Sequence, residues 1–208
     1  MIVDFRSLPV ALTLSMSLFA MAAVASEIRE FGIKTLERLG NELTRASQTP
    51  DRGATTPRRK RAKQTAIVAL KGKLFDIHYD YVVLDDPDGS GLLVYALAST
   101  GKLNEFVLAG HFRVTVSAGG TKAERVDALS RSLAIQRGGE GLPVGSHLVG
   151  MHMVQIVSSK PVETLIYTSN LAKMPIYVAT LPHGRIYEVA NGKILDTGES
   201  AGKNDGAA

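Results

Sequence analysis

The chain has 208 residues, 45% of them hydrophobic and 21% charged, with no cysteine and no tryptophan. Apolar content suffices for one domain with a core, while disulfides, thiolate metal ligands, a cysteine nucleophile and a lipid-modified cysteine are excluded. The five charges of Arg58, Arg59, Lys60, Arg61 and Lys63 exceed the net charge of +4, so the basicity is one local run and a broad nucleic-acid face is not expected.

Leu8 to Val24 carries no charge and ends in Ala23-Val24-Ala25. Small residues at those two alternate positions fit a secretory peptidase, which predicts a signal peptide over 1–25 and a periplasmic or secreted product. The alternative is an uncleaved anchor, since Ser7 to Ala25 is nearly long enough to span a bilayer. Arg29, Lys34, Arg38 and Arg45 after the segment would then hold the following domain in the cytoplasm.

Ile28, Phe31, Leu36, Leu39 and Leu43 recur at helical spacing, predicting an amphipathic helix over 26–45 with Ser26 as its cap. A basic linker is expected over 46–64, around Pro50 and Gly53. Thr56-Pro57 is also a helix-start signal, with Ala62, Ala66, Ile67 and Leu70 on one side as far as Lys71.

Beyond Gly72 the apolar period changes to two, and a strand-rich globular domain is expected over 65–197. Phe75, Ile77, Tyr79, Tyr81 and Val83 share one face of the first strand, with Asp76, His78 and Asp80 on the other. Leu92 to Ala98, Glu105 to Ala109 and His111 to Ser117 follow. Thr121 to Leu133 reads as the return arm of a hairpin after Gly119-Gly120, or as a capped helix, and the hairpin is preferred. Leu148 to Val157, Val162 to Thr168, Ile176 to Thr180 and Arg185 to Ala190 read as further strands, with Lys193 to Leu195 closing the last hairpin and a disordered tail over 198–208. The expected fold is mainly β with an N-terminal helix (α+β): an antiparallel curved sheet, sandwich or half-barrel built from hairpins.

Asp76, His78 and Asp80 project an imidazole and two carboxylates to one side, and His111 and Arg113 can join them across a sheet, so these five are the candidate ligand-binding residues. The plainer reading is a wet sheet face. Arg58, Arg59, Lys60, Arg61 and Lys63 are the candidate contacts for a polyanion or lipid headgroups. The run has no interleaved aromatics on which bases would stack, so nucleic acid is disfavoured.

Asp86-Pro87-Asp88-Gly89-Ser90-Gly91 opens like a calcium loop, but Leu97 stands where the closing glutamate belongs. His147 and His152 are offset by five residues and cannot share a metal on one strand face. His183 sits in a Pro-His-Gly turn. Gly-x-Ser-x-Gly is absent, and Gly138-Gly139-Glu140-Gly141 lacks the lysine of a phosphate loop. Tyr167, Tyr177 and Tyr187 recur in consecutive expected strands and suit either a core or a groove.

No catalytic residue, metal or cofactor is assigned. The expected activity is that of a non-enzymatic envelope module binding a protein or small ligand, with an anionic membrane surface as a further partner. The alternatives are a metal-dependent or acid-base enzyme using the Asp/His cluster, and a membrane-anchored domain with a lipid-contacting basic segment.

Overall fold

A computed structural model describes residues 27–102, 104–138, 148–181 and 184–200. The expected signal peptide, His147, His183 and residues 201–208 of the expected disordered tail lie outside the described residues, while residues 198–200 of that tail are not disordered but end the last strand, Lys193–Ser200. Among the described residues the protein is mostly β with three helices, and its sheets, antiparallel but for one strand pair, do not close into a barrel.

In chain order the elements are α1 (Ile33–Ser47), α2 (Pro57–Ala69), β1 (His78–Asp85), β2 (Leu92–Ser99), β3 (Glu105–Ala109), β4 (Phe112–Val116), β5 (Ala123–Ala128), β6 (Ala134–Arg137), β7 (Met151–Gln155), α3 (Glu163–Ala172), β8 (Ile176–Thr180), β9 (Arg185–Ala190) and β10 (Lys193–Ser200). One sheet runs β1-β2-β4-β5, a second β10-β9-β8-β7, and β3 pairs with β6. Asn191 and Gly192 both have positive φ, as the tight β9–β10 turn requires.

The first sheet is covered on both faces, which is why β2 reads as an unbroken apolar run. Leu93, Tyr95 and Leu97 join the larger core with α1, α3 and the inner face of the second sheet. Leu92, Val94, Ala96 and Ala98 join a smaller core beneath α2. Each fully buried leucine or valine there contributes about 1.5–3 kcal/mol before the entropy of ordering it. Tyr79, Tyr81 and Val83 of β1 face the α2 core, as their spacing predicted. Among the described residues nothing covers the outer face of the second sheet, where Val154, Tyr177 and Leu195 are exposed.

Four further expectations change. α1 begins at Ile33, not at Ser26, because residues 27–32 run extended across the sheet: the Glu27 N–H donates to the Val157 carbonyl at 3.1 Å, and Arg29 and Phe31 are tied to side chains below. The basic linker is not a free segment, since Pro57–Ala69 is helical. Val162 to Thr168 is not a strand but the start of α3, whose β-branched and aromatic residues mimic strand composition. The packing of α1 on α3 overrides that tendency: Leu165 and Ile166 are buried, and a Cβ on Gly40 of α1 would stand 2.5 Å from the Ile166 Cβ. With α3 as a crossover, β7 and β8 pair in parallel, an exception to the hairpin pattern. The Thr121 to Leu133 segment forms the preferred hairpin arm, with β5 antiparallel to β4.

The larger core holds a buried ion network. Arg113 of β4 is 0% exposed and donates through Nη1 to Glu163 Oε1 at 2.6 Å and through Nη2 to Asp127 Oδ2 at 2.8 Å. It also donates to the Arg29 carbonyl, which fastens the extended lead to the sheet. The Tyr95 hydroxyl donates to Glu163 Oε1 at 2.7 Å. Two guanidinium groups stand over the Phe31 ring, Arg29 at 4.8 Å and Arg113 at 4.7 Å from its centroid. Burial alone would lower the Arg113 pKa, but the charges of Glu163 and Asp127 outweigh it and raise it. Burial and the Glu163 charge together push the Tyr95 hydroxyl far above its usual range, so it remains a donor.

Candidate functional site

α2 has the sequence PRRKRAKQTAIVA, with five cations and no acid. Its start follows from Thr56 and Pro57: the Thr56 hydroxyl accepts from the Arg59 N–H at 3.2 Å, and Pro57 occupies a position whose N–H would have no partner. Ala62 and Ala66 face the sheet and are fully buried, so small side chains let the helix lie close. The Thr65 hydroxyl donates to the Gly120 carbonyl at 2.9 Å, and a Cβ on Gly120 would meet the Arg58 carbonyl at 2.6 Å. The β4–β5 turn therefore abuts α2.

This close seating divides the basic run into two groups. Arg58 donates to the Ser90 carbonyl at 2.7 Å. Arg59 donates to the Gly53 and Val83 carbonyls at 3.0 and 3.2 Å and pairs with Asp85 at 2.5 Å. Those two arginines are committed to holding α2 and the preceding loop on β1. Lys60 and Arg61 are exposed, and their side chains have no ion pair or hydrogen bond among the described residues. The Lys63 ammonium stands 6.0 Å from the Tyr81 ring centroid.

Lys60, Arg61 and Lys63 line a groove of about 650 Å³, together with Gln64 and Thr65 of α2, Pro50, Asp51 and Ala54 of the preceding loop, and Gly120 and Thr121 of the β4–β5 turn. Asp51 is the one acidic side chain in this wall. Three cations, two hydroxyls and an amide around one depression suit the binding of an anion through charge-assisted hydrogen bonds.

The other candidates are placed differently. Asp76 is exposed ahead of β1, and His78 Nε2 lies 3.4 Å from Asp80 Oδ1, which also pairs with Arg52 at 2.9 Å. Asp80, His111 and Arg113 do face the same side of the first sheet, but β2 separates β1 from β4. That side is not wet at β4: His111 is 2% exposed and Arg113 lies in the ion network. Both His111 ring nitrogens are occupied, Nδ1 accepting from the Ala98 N–H at 3.0 Å and Nε2 donating to the Val107 carbonyl at 3.2 Å. Burial lowers the His111 pKa to about 4. A smaller groove of about 320 Å³ includes Ser99, Lys102, Glu105 and Tyr167, but His111 does not line it.

Among the described residues, no three His, Asp or Glu side chains gather as a metal-holding group. In the calcium-like turn the cation is a side chain: Arg29 pairs with Asp86 at 2.7 Å and with Asp88 at 2.8 Å. Burial would raise the Asp86 pKa, yet the Arg29 bonds hold it below the usual carboxylate range. Tyr177 is exposed on the outer sheet face, Tyr187 is buried, and Tyr167 lies on α3 with His111 edge-on at 6.4 Å, so the three tyrosines do not share a groove.

Sequence reasoning did not find Asp127 or Glu163 as network members, since neither stands out in spacing or composition. No protein-family model, curated protein or solved structure matches this chain.

Proposed function

We propose that the protein is an exported, periplasmic or secreted, non-enzymatic binding module of the cell envelope, and that it takes an anionic ligand in the groove beside α2. The observation that carries this reading is the division of the basic run. Arg58 and Arg59 hold the fold, while Lys60, Arg61 and Lys63 line one groove with no ion-paired carboxylate among the described residues. The Ala23-Val24-Ala25 pattern after an uncharged segment supports export. The enzyme reading draws no support from the geometry, because His111 has both ring nitrogens engaged by the backbone and lies apart from Asp76 and His78.

Inorganic tripolyphosphate is a suitable probe, titrated calorimetrically at low ionic strength. The wild-type protein is expected to bind it. The combined Lys60→Ala, Arg61→Ala and Lys63→Ala variant is expected to bind at least ~10-fold more weakly, since each lost cation removes roughly 1 kcal/mol of attraction at a surface. Its unfolding free energy should stay within about 1 kcal/mol of wild type, as these side chains make no ion pair or hydrogen bond among the described residues and only Lys63 approaches a ring. Equal affinity in the two proteins removes the groove from the account. For the export arm, mass spectrometry of protein from the envelope fraction should show residues 1–25 missing; intact chain free in the cytosol would contradict it.

A further inference from the structure

We infer that the anion recognised beside α2 is the headgroup surface of an anionic phospholipid bilayer, an inference that rests on the groove reading above. Pro57, Lys60, Arg61, Gln64, Val68 and Lys71 are exposed at helical spacing and form one outward stripe running from the groove past the end of α2. The stripe contains three cations and no acid, and Lys73 beyond α2 and Lys122 beside the opposite wall are also exposed.

A small soluble anion is best held by cations converging on one point, whereas a bilayer is met by cations spread along a face. The stripe has the second arrangement, continuous with the groove at Lys60, Arg61 and Gln64. Charge complementarity thus selects a surface of many phosphates.

Val68 is the second observation. It is 74% exposed one turn beyond Gln64, on the cationic stripe of a helix whose other apolar contacts are with the sheet. An apolar residue beside a lysine, as Val68 is beside Lys71, fits the boundary between headgroups and acyl chains, with the lysine stem lying along it and the ammonium group at the phosphates. Helix α2 therefore lies along the bilayer plane, with phosphate groups entering the groove and Val68 dipping below them. Nucleic acid is disfavoured here because no aromatic ring lines the groove.

The test is flotation of the full mature chain with vesicles of phosphatidylglycerol in phosphatidylcholine, against pure phosphatidylcholine. Binding is expected only to the anionic vesicles, weakening as salt is raised. Combined Lys60→Glu, Arg61→Glu and Lys63→Glu substitution should weaken it at least ~100-fold. Val68→Ser should weaken vesicle binding about fivefold and leave tripolyphosphate binding in solution unchanged. Equal binding of the charge-reversed and wild-type proteins to anionic vesicles overturns the inference, and an unaffected Val68→Ser overturns the seating of Val68. Tripolyphosphate binding without vesicle binding sinks the bilayer as ligand and leaves the anion groove standing. Loss of both in the wild-type protein sinks the two together.

Discussion

Replacement of Arg113 by methionine is expected to destabilise the protein by about 3–5 kcal/mol, measured by urea unfolding at neutral pH. The volume lost is small; the cost comes from what remains. Asp127 Oδ2 and Glu163 Oε1 both accept from this guanidinium in a site closed to water, and Glu163 Oε2 already has no hydrogen-bond partner. Removing the cation leaves two carboxylates facing the core, with Arg125 still bound to Asp127 but no cation bound to Glu163. It also frees the Arg29 carbonyl and with it the extended lead into α1. Against a typical domain stability of about 5–15 kcal/mol this is a large fraction. Arg113→Lys should recover only part of the loss, because one ammonium cannot span Asp127, Glu163 and the Arg29 carbonyl as the planar fork does. A methionine variant within about 1 kcal/mol of wild type would show that the network is not what holds the lead to the sheet.

The second large effect is acid destabilisation through His111. Its pKa in the folded protein is about 4, below the ordinary value of 6.5, because burial disfavours the imidazolium. The unfolded chain therefore takes up the proton first as the pH falls. Above pH 6.5 both states are neutral at this ring and it contributes no pH dependence. Between pH 6.5 and 4 the unfolded state gains about 1.4 kcal/mol per pH unit, and the accumulated loss of stability at pH 4 is about 3 kcal/mol. Carboxylates also titrate near the lower end of that window, so the comparison is with His111→Gln, which lacks the titrating ring. The wild-type stability curve should fall more steeply than the variant's by about 3 kcal/mol between pH 7 and pH 4. Parallel curves would mean that the buried imidazole accepts a proton without loss of fold.

Both residues illustrate how far the sequence is legible. Local patterns translated directly where one rule governed them: Thr56-Pro57 starts a helix, Tyr79, Tyr81 and Val83 share a face, Asn191-Gly192 turns a hairpin, and Gly119-Gly120 leads into the β4–β5 pair. Alternation along β4 likewise puts Phe112, Val114 and Val116 on one face. What alternation does not reveal is whether the polar face meets water. Here a second layer made of α1, α3 and residues 27–32 covers it, and Arg113 is tolerated inside because Asp127 and Glu163 arrive from distant parts of the chain.

The candidate site was half legible for the same reason. Composition marked Arg58 to Lys63 as one run, but only the seating of α2 on β1 and the β4–β5 turn separates the two anchoring arginines from Lys60, Arg61 and Lys63. α3 misled because Thr164, Ile166, Tyr167 and Thr168 favour strands in isolation, while the close contact at Gly40 selects the helix.

The groove's part in binding is tested most directly by following backbone amide resonances while the labelled protein is titrated with inorganic tripolyphosphate. The account predicts saturable shifts concentrated in residues 51–54, 60–65 and 120–122, with the outer face of the second sheet silent. Shifts centred on Val154, Tyr177 and Leu195, or none at all, would contradict it.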